Sequence, residues 1–122
     1  MNRDMDLIRR IALAAADAPI GASVSKLEGI KPEVFSLHVV WMHEAGLVKA
    51  VITELMNRTT TAVVLRLTWE GCEFVDSVRS DTVWKKAKEN VIKPGMSFTF
   101  SVLKEWVKTE ITQGLPSLRA GG

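Results

Sequence analysis

Met5, Ile8, Ile11, Ala12 and Ala15 recur at three- and four-residue spacing and predict an amphipathic helix over residues 2–17. Asn2 or Asp4 is placed to cap it. Asp4 and Asp6 fall in the first turn, where the helix dipole favours carboxylates. Pro19 and Gly21 break the period. The alternation from Ala22 through Val24 to Leu27 then predicts a short strand, with Glu28-Gly29 as the turn out of it.

A second helical period runs over residues 32–45, with Pro32 suited to its first position and Gly46 to its stop. Val34, Leu37, His38, Trp41, Met42 and Ala45 follow the spacing of a buried face. That choice places Glu33, Phe35, Ser36, Val39, Val40, His43 and Glu44 outside. Residues 47–53 and 62–67, rich in Val, Ile, Leu and Thr, predict paired strands around a polar tip that includes Asn57, Arg58 and Thr59. Thr68 is placed to cap a helix carrying Phe74, Val75 and Val78, with Glu70 in its first turn. Ser80 or Asp81 opens a further helix with Val83, Trp84, Ala87 and Val91, ended by Pro94-Gly95. A last helix begins near Thr99, with Phe98 and Leu103 as a hydrophobic staple, and Gly114 and Pro116 end it. The order predicts an α+β, winged-helix-like fold: helix, short strand, helix, β-hairpin wing, then additional C-terminal helices. One domain over residues 1–122 is expected, with a frayed tail from about residue 115.

Composition narrows the function classes. With 47% hydrophobic residues in 122, the chain can bury a core and is no disordered tail. Its 16 basic and 14 acidic side chains leave a formal charge of +2, too mild to announce nucleic acid by itself. One cysteine, Cys72, excludes an intramolecular disulfide and a paired-Cys metal site. No stretch approaches the roughly 20 apolar residues of a membrane span, and the N-terminus lacks a signal peptide's basic-then-apolar order. A cytoplasmic protein is expected.

Nothing in the motifs points to catalysis. There is no nucleophile elbow, no phosphate-cradling glycine loop and no HExxH spacing. His38 lies on the predicted core stripe and reads as a hydrogen-bonded core residue. His43, five positions on, is wrongly spaced for an i, i+4 metal pair. Cys72, next to Gly71 in a helix's first turn, reads as an inert buried thiol. No enzyme, cofactor or metal is expected.

Two binding readings remain. In a winged helix the helix before the hairpin commonly enters the major groove and the wing touches backbone or minor groove. Duplex DNA would then meet Lys31, Arg58, Thr59, Lys85 and Lys86 at phosphates, with Ser36 and His43 at base edges. The same helix lacks Arg, Lys, Asn and Gln, the side chains that make bidentate base contacts, and it carries Glu33 and Glu44. The alternative is a protein-binding module acting on a host protein through Phe35, Val39 and Val40 as an exposed apolar patch. Dimerisation through the C-terminal helix, by way of Phe98, Trp106 and Ile111, is a third reading, and an intramolecular core is the more ordinary place for the same three side chains. Lys85, Lys86 and Lys88 also fit the wet face of a helix whose other side holds Trp84 and Ala87.

Several segments in order carry a family resemblance. They are Arg3-Asp4-Met5-Asp6-Leu7-Ile8-Arg9; His38 followed by Glu44-Ala45-Gly46-Leu47-Val48; Leu67-Thr68-Trp69-Glu70-Gly71 with Phe74-Val75-Asp76 and Arg79; and Asp81 to Trp84. Together they resemble the domain-of-unknown-function family twenty-five-thirteen, uncharacterised and mostly phage- and prophage-associated bacterial proteins. The resemblance implies a winged-helix-like domain in a mobile-element setting with no assigned activity. The family usually places histidine after the Leu-Thr-x-x-Gly glycine. Cys72 stands there instead, which argues against a role needing imidazole at that position.

Overall fold

A computed structural model of the chain describes residues 2–89 and Glu105. The architecture is mixed α+β: among the described residues, four helices and one two-stranded antiparallel sheet. In chain order these are α1 (Met5–Asp17), α2 (Pro32–Glu44), β1 (Val48–Glu54), β2 (Thr60–Leu67), α3 (Trp69–Val78) and α4 (Asp81–Ala87). The chain divides into two compact units, Met1–Val75 and Asp76–Gly122.

In the first unit, α1 starts where its cap chemistry predicts. Asp4 is the N-cap, and its carboxylate accepts the Leu7 N–H at 3.2 Å. Met5, Leu7, Ile8, Ile11 and Ala12 are buried, so the predicted stripe is present, with Leu7 added. Ala15 is half-buried. The expected strand at residues 22–27 shrinks to a single bridge, Val24 to Val64, closed by two hydrogen bonds of 2.9 Å. Only Val24 reaches β2 there, and no second ladder bond extends the pairing.

α2 ends in a complete glycine stop. Gly46 sits at φ +79, its N–H donates to the His43 carbonyl at 3.1 Å, and the Leu47 N–H donates to the Met42 carbonyl at 2.9 Å. Leu47 and Met42 are both buried beside this turn. The buried face of α2 is Phe35, Ser36, His38, Val39 and Met42. It is rotated about one residue from the predicted stripe, since Val34, Leu37 and Trp41 are only half-buried and Ala45 is exposed. Packing against both strands and α1 selects this face.

β1 and β2 pair in register from Glu54↔Thr60 to Ala50↔Val64, and then slip: Lys49 faces Arg66 and Val48 faces Leu67. Leu65 is thereby left opposite no partner, as the extra residue of a bulge. The outer edge of β2 is satisfied away from β1. Val64 bonds Val24, and the Ala62 N–H donates to the Ser36 hydroxyl at 3.2 Å.

α3 opens on Thr68, whose hydroxyl accepts the Gly71 N–H at 3.0 Å and donates to the Gly46 carbonyl. The Thr68 N–H donates to the Leu47 carbonyl at 3.0 Å, so the start of α3 is pinned to the turn that ends α2. Phe74 and Val75 are buried. Cys72 is exposed, which corrects the expectation of a buried thiol: Gly71 packs closely against the Leu47 carbonyl, and one residue further the helix has turned about 100° away from that contact.

In the second unit, Ser80 caps α4 by accepting the Val83 N–H at 3.3 Å, and Trp84 and Ala87 are buried while Lys85 and Lys86 are exposed. The predicted stop at Pro94-Gly95 and the last helix, including Phe98, Trp106 and Ile111, lie outside the described residues.

Candidate functional site

Three of the predicted binding residues, Val40, Arg58 and Thr59, meet on a surface between α2 and the hairpin. A groove of about 400 Å³ is lined by Glu33, Leu37 and Val40 from α2 and by Ile52, Glu54, Arg58, Thr59 and Thr60 from the hairpin. The register explains the hairpin's share. Ile52 pairs with Ala62 and Glu54 with Thr60, and cross-strand partners project to the same side of the sheet. Ala62 is buried against α2, so Ile52 and Glu54 extend that side outward past the core.

From residue 51 to residue 59 every position is exposed, so the distal hairpin stands clear of the packed layer. Its tip is nonetheless ordered by hydrogen bonds. The Leu55 N–H donates to the Thr59 carbonyl at 2.8 Å, the Arg58 N–H to the Leu55 carbonyl at 2.9 Å, and the Thr59 N–H to the Asn57 side-chain oxygen at 3.0 Å. Arg58 takes φ +65, a left-handed conformation that non-glycine residues seldom adopt. Met56 at the tip is fully exposed.

The predicted site residues separate under this geometry. Arg58 and Thr59 line the groove together with Val40. Lys31, the N-cap of α2, and His43 in its last turn are exposed. Phe35 and Val39 are buried at 1% and 0% exposure, so the predicted apolar patch is core, apart from half-exposed Val40. Ser36 is buried as well, and its hydroxyl is engaged by the Ala62 N–H. It faces the sheet and cannot reach a base edge. Lys85 and Lys86 belong to the second unit.

Ser36 therefore acts as a strap between α2 and β2. Ser36→Ala leaves the Ala62 amide without its acceptor in a buried position and is expected to cost about 1–2 kcal/mol. A chemical-denaturation midpoint that does not move would show that this bond adds nothing.

His38 is fully buried, and both ring nitrogens are used. Nε2 accepts the Asp4 N–H at 2.9 Å, and Nδ1 lies 2.8 Å from the Val34 carbonyl oxygen. An imidazole so engaged has no free nitrogen for a metal or a substrate. Among the described residues no group of three His, Cys, Asp or Glu side chains is arranged to hold a metal ion. No helix among them is long and apolar enough to cross a membrane.

Sequence reasoning missed Leu37, Ile52 and Glu54. Leu37 belongs to the predicted core stripe, and the two strand residues gain their place only through cross-strand register.

These features define a small α+β domain in which a hairpin extends past a helix and walls a groove with it. The chain belongs to the family described as hypothetical protein (DUF2513), whose model matches residues 2–97. It is also similar to an uncharacterized protein of Haemophilus influenzae, 30% identical over 118 residues that cover 94% of this chain and 99% of that protein. No solved structure matches.

Proposed function

We propose that the chain is a non-enzymatic, winged-helix-type binding module, and that the groove between α2 and the hairpin takes a segment of a partner protein. The layout supports the winged-helix assignment: α1, the Val24 bridge, α2, the β1–β2 hairpin, and then helix again. The composition of the groove carries the choice of partner. Leu37, Val40 and Ile52 make an apolar floor, Glu33 and Glu54 place two carboxylates along it, and Arg58 supplies one cation. Such a surface accepts an apolar anchor flanked by basic side chains, and it repels a phosphate backbone. In the mobile-element setting that the family resemblance implies, the partner is a protein of the host cell.

The test is site-specific photo-crosslinking in host cells from positions 40 and 52, with exposed position 26 as control. A discrete adduct is expected from the first two positions alone. Val40→Glu combined with Ile52→Glu should remove at least nine-tenths of it. Both side chains are partly or wholly exposed, so the double variant should keep its fold. Adducts of equal yield from all three positions would sink the assignment.

Duplex DNA remains a second reading because of Arg58, held in a left-handed turn at an exposed tip, with Lys31, Thr59 and His43 also exposed. Against it, Glu33, Glu44 and Glu54 interleave with those groups. Fluorescence anisotropy with random duplex separates the two readings. No binding at low salt is expected. Micromolar binding that weakens steeply with salt, with a slope about one smaller in Arg58→Ala, would establish the DNA reading instead.

A further inference from the structure

A second concavity lies at the other end of the hairpin, where the base of the sheet meets the end of α1. It measures about 620 Å³, and Pro19, Ile20, Leu65, Lys49 and Arg66 are among the residues that line it. Several features meet there. Lys49 and Arg66 are register partners, two like charges directly opposite at a typical separation of about 5 Å, an arrangement that destabilises a sheet. Among the described residues no carboxylate lines the groove to neutralise them. The bulge falls at this same step and leaves Leu65, half-exposed, as the unpaired residue beside Arg66. Arg66 is also oriented, since its Nη1 donates to the Leu67 carbonyl at 3.0 Å.

We propose that this groove is a binding site for a small amphipathic anion, a phosphate or carboxylate head on a short apolar body. The head sits between Lys49 and Arg66, and the body lies against Leu65, Pro19 and Ile20. An oxyanion between the two cations turns their repulsion into two charge-assisted contacts, and a guanidinium suits a phosphate or carboxylate geometrically. The apolar walls explain why a bare anion is not the best occupant: only a ligand with a body covers Ile20 and Leu65. The volume is within the range of small-molecule pockets. The site shares no lining residue with the groove beside α2, so it stands or falls separately from the partner-binding proposal.

The probes are hexyl phosphate, hexanoate, hexanol and inorganic phosphate, titrated into the full chain by isothermal calorimetry with amide chemical shifts to locate the site. Saturable binding of hexyl phosphate or hexanoate is expected, with shifts at Lys49, Leu65 and Arg66. Hexanol and inorganic phosphate should each bind at least tenfold more weakly. Lys49→Ser and Arg66→Ser should each weaken the tailed anions about tenfold, and the unchanged circular dichroism of these exposed-site variants would exclude unfolding as the cause. Equal affinity in the double variant overturns the proposal. So does phosphate binding that ignores the tail and is displaced by duplex DNA, because the two cations would then belong to a nucleic-acid surface.

Discussion

Gly71→Ala is expected to destabilise the protein by about 3 kcal/mol or more, the reverse of what the substitution does in an ordinary helix. Inside a helix, alanine is normally favoured over glycine by about 0.5–1 kcal/mol, because glycine surrenders more backbone freedom on folding. Gly71 lies in the first full turn of α3 and is buried. A Cβ there would fall far inside van der Waals contact of the Leu47 carbonyl oxygen, 3.0 Å from its carbonyl carbon and 3.1 Å from Leu67 Cδ2. Two of these neighbours are backbone atoms, fixed by the glycine stop of α2 and by the Thr68 N–H on the Leu47 carbonyl. Neither can yield without breaking the corner that joins α2, β1 and α3. Overpacking against such a wall costs about 1–3 kcal/mol or more, and the lost docking of Thr68 adds to it. The measurement is the urea midpoint at unchanged m-value. Gly29→Ala is the comparison: Gly29, unlike the helical Gly71, has φ +80 but open space around it, so it should lose only about 1 kcal/mol from backbone strain. If Gly71→Ala instead stabilises, α3 does not approach Leu47 this closely.

The contrast between Gly71 and Cys72 shows how far residue patterns reach. Leu67-Thr68-Trp69-Glu70-Gly71 announces a capped helix and a tight approach at its glycine, and both are present. The orientation of the next residue depends on which side of α3 meets Leu47, and no local pattern contains that. α2 fails in the same way. Val34, Phe35, Leu37, Val39, Val40, Trp41 and Met42 make it apolar nearly all round, so two adjacent stripes satisfy helical spacing equally well. The winner is set by contacts remote in sequence, such as Ser36 with Ala62, 26 positions away.

The hairpin was legible because β-branched runs flank polar turn residues, and strand pairing is nearly local there. Its consequences were not. The groove beside α2 needs Ile52 and Glu54 on the side of Ala62, and the cation pair needs a bulge that sets Lys49 opposite Arg66. A one-residue slip in register would move both sets to the opposite face. Site chemistry in this chain is therefore written in strand register, while the elements themselves are written in period and caps.

His38→Leu is expected to cost about 2 kcal/mol although it replaces a polar residue in the core with an apolar one of similar size. The reason is the geometry of the two ring nitrogens. Nε2 accepts a backbone N–H, so it carries no proton, and the proton resides on Nδ1, which donates to Val34. The neutral Nδ1–H form is the one that satisfies both partners at once. The Val34 carbonyl, at the i−4 position, also accepts the helix's own bond, so losing the imidazole leaves it partnered. The Asp4 N–H is different: it sits at the N-cap of α1, partly buried, and the imidazole 34 positions away is its acceptor. Leucine strands that partly buried donor and leaves the imidazole's share of the α1–α2 joint unmade, which costs more than the packing gains. The loss falls on the joint between α1 and α2, so amide exchange should accelerate first in the opening turn of α1. Nitrogen chemical shifts of the ring give a check that does not depend on stability. They should report a protonated Nδ1 and a bare Nε2. The opposite tautomer would break the link between Asp4 and His38, and with it the reason for placing a histidine in the fully buried stripe of α2.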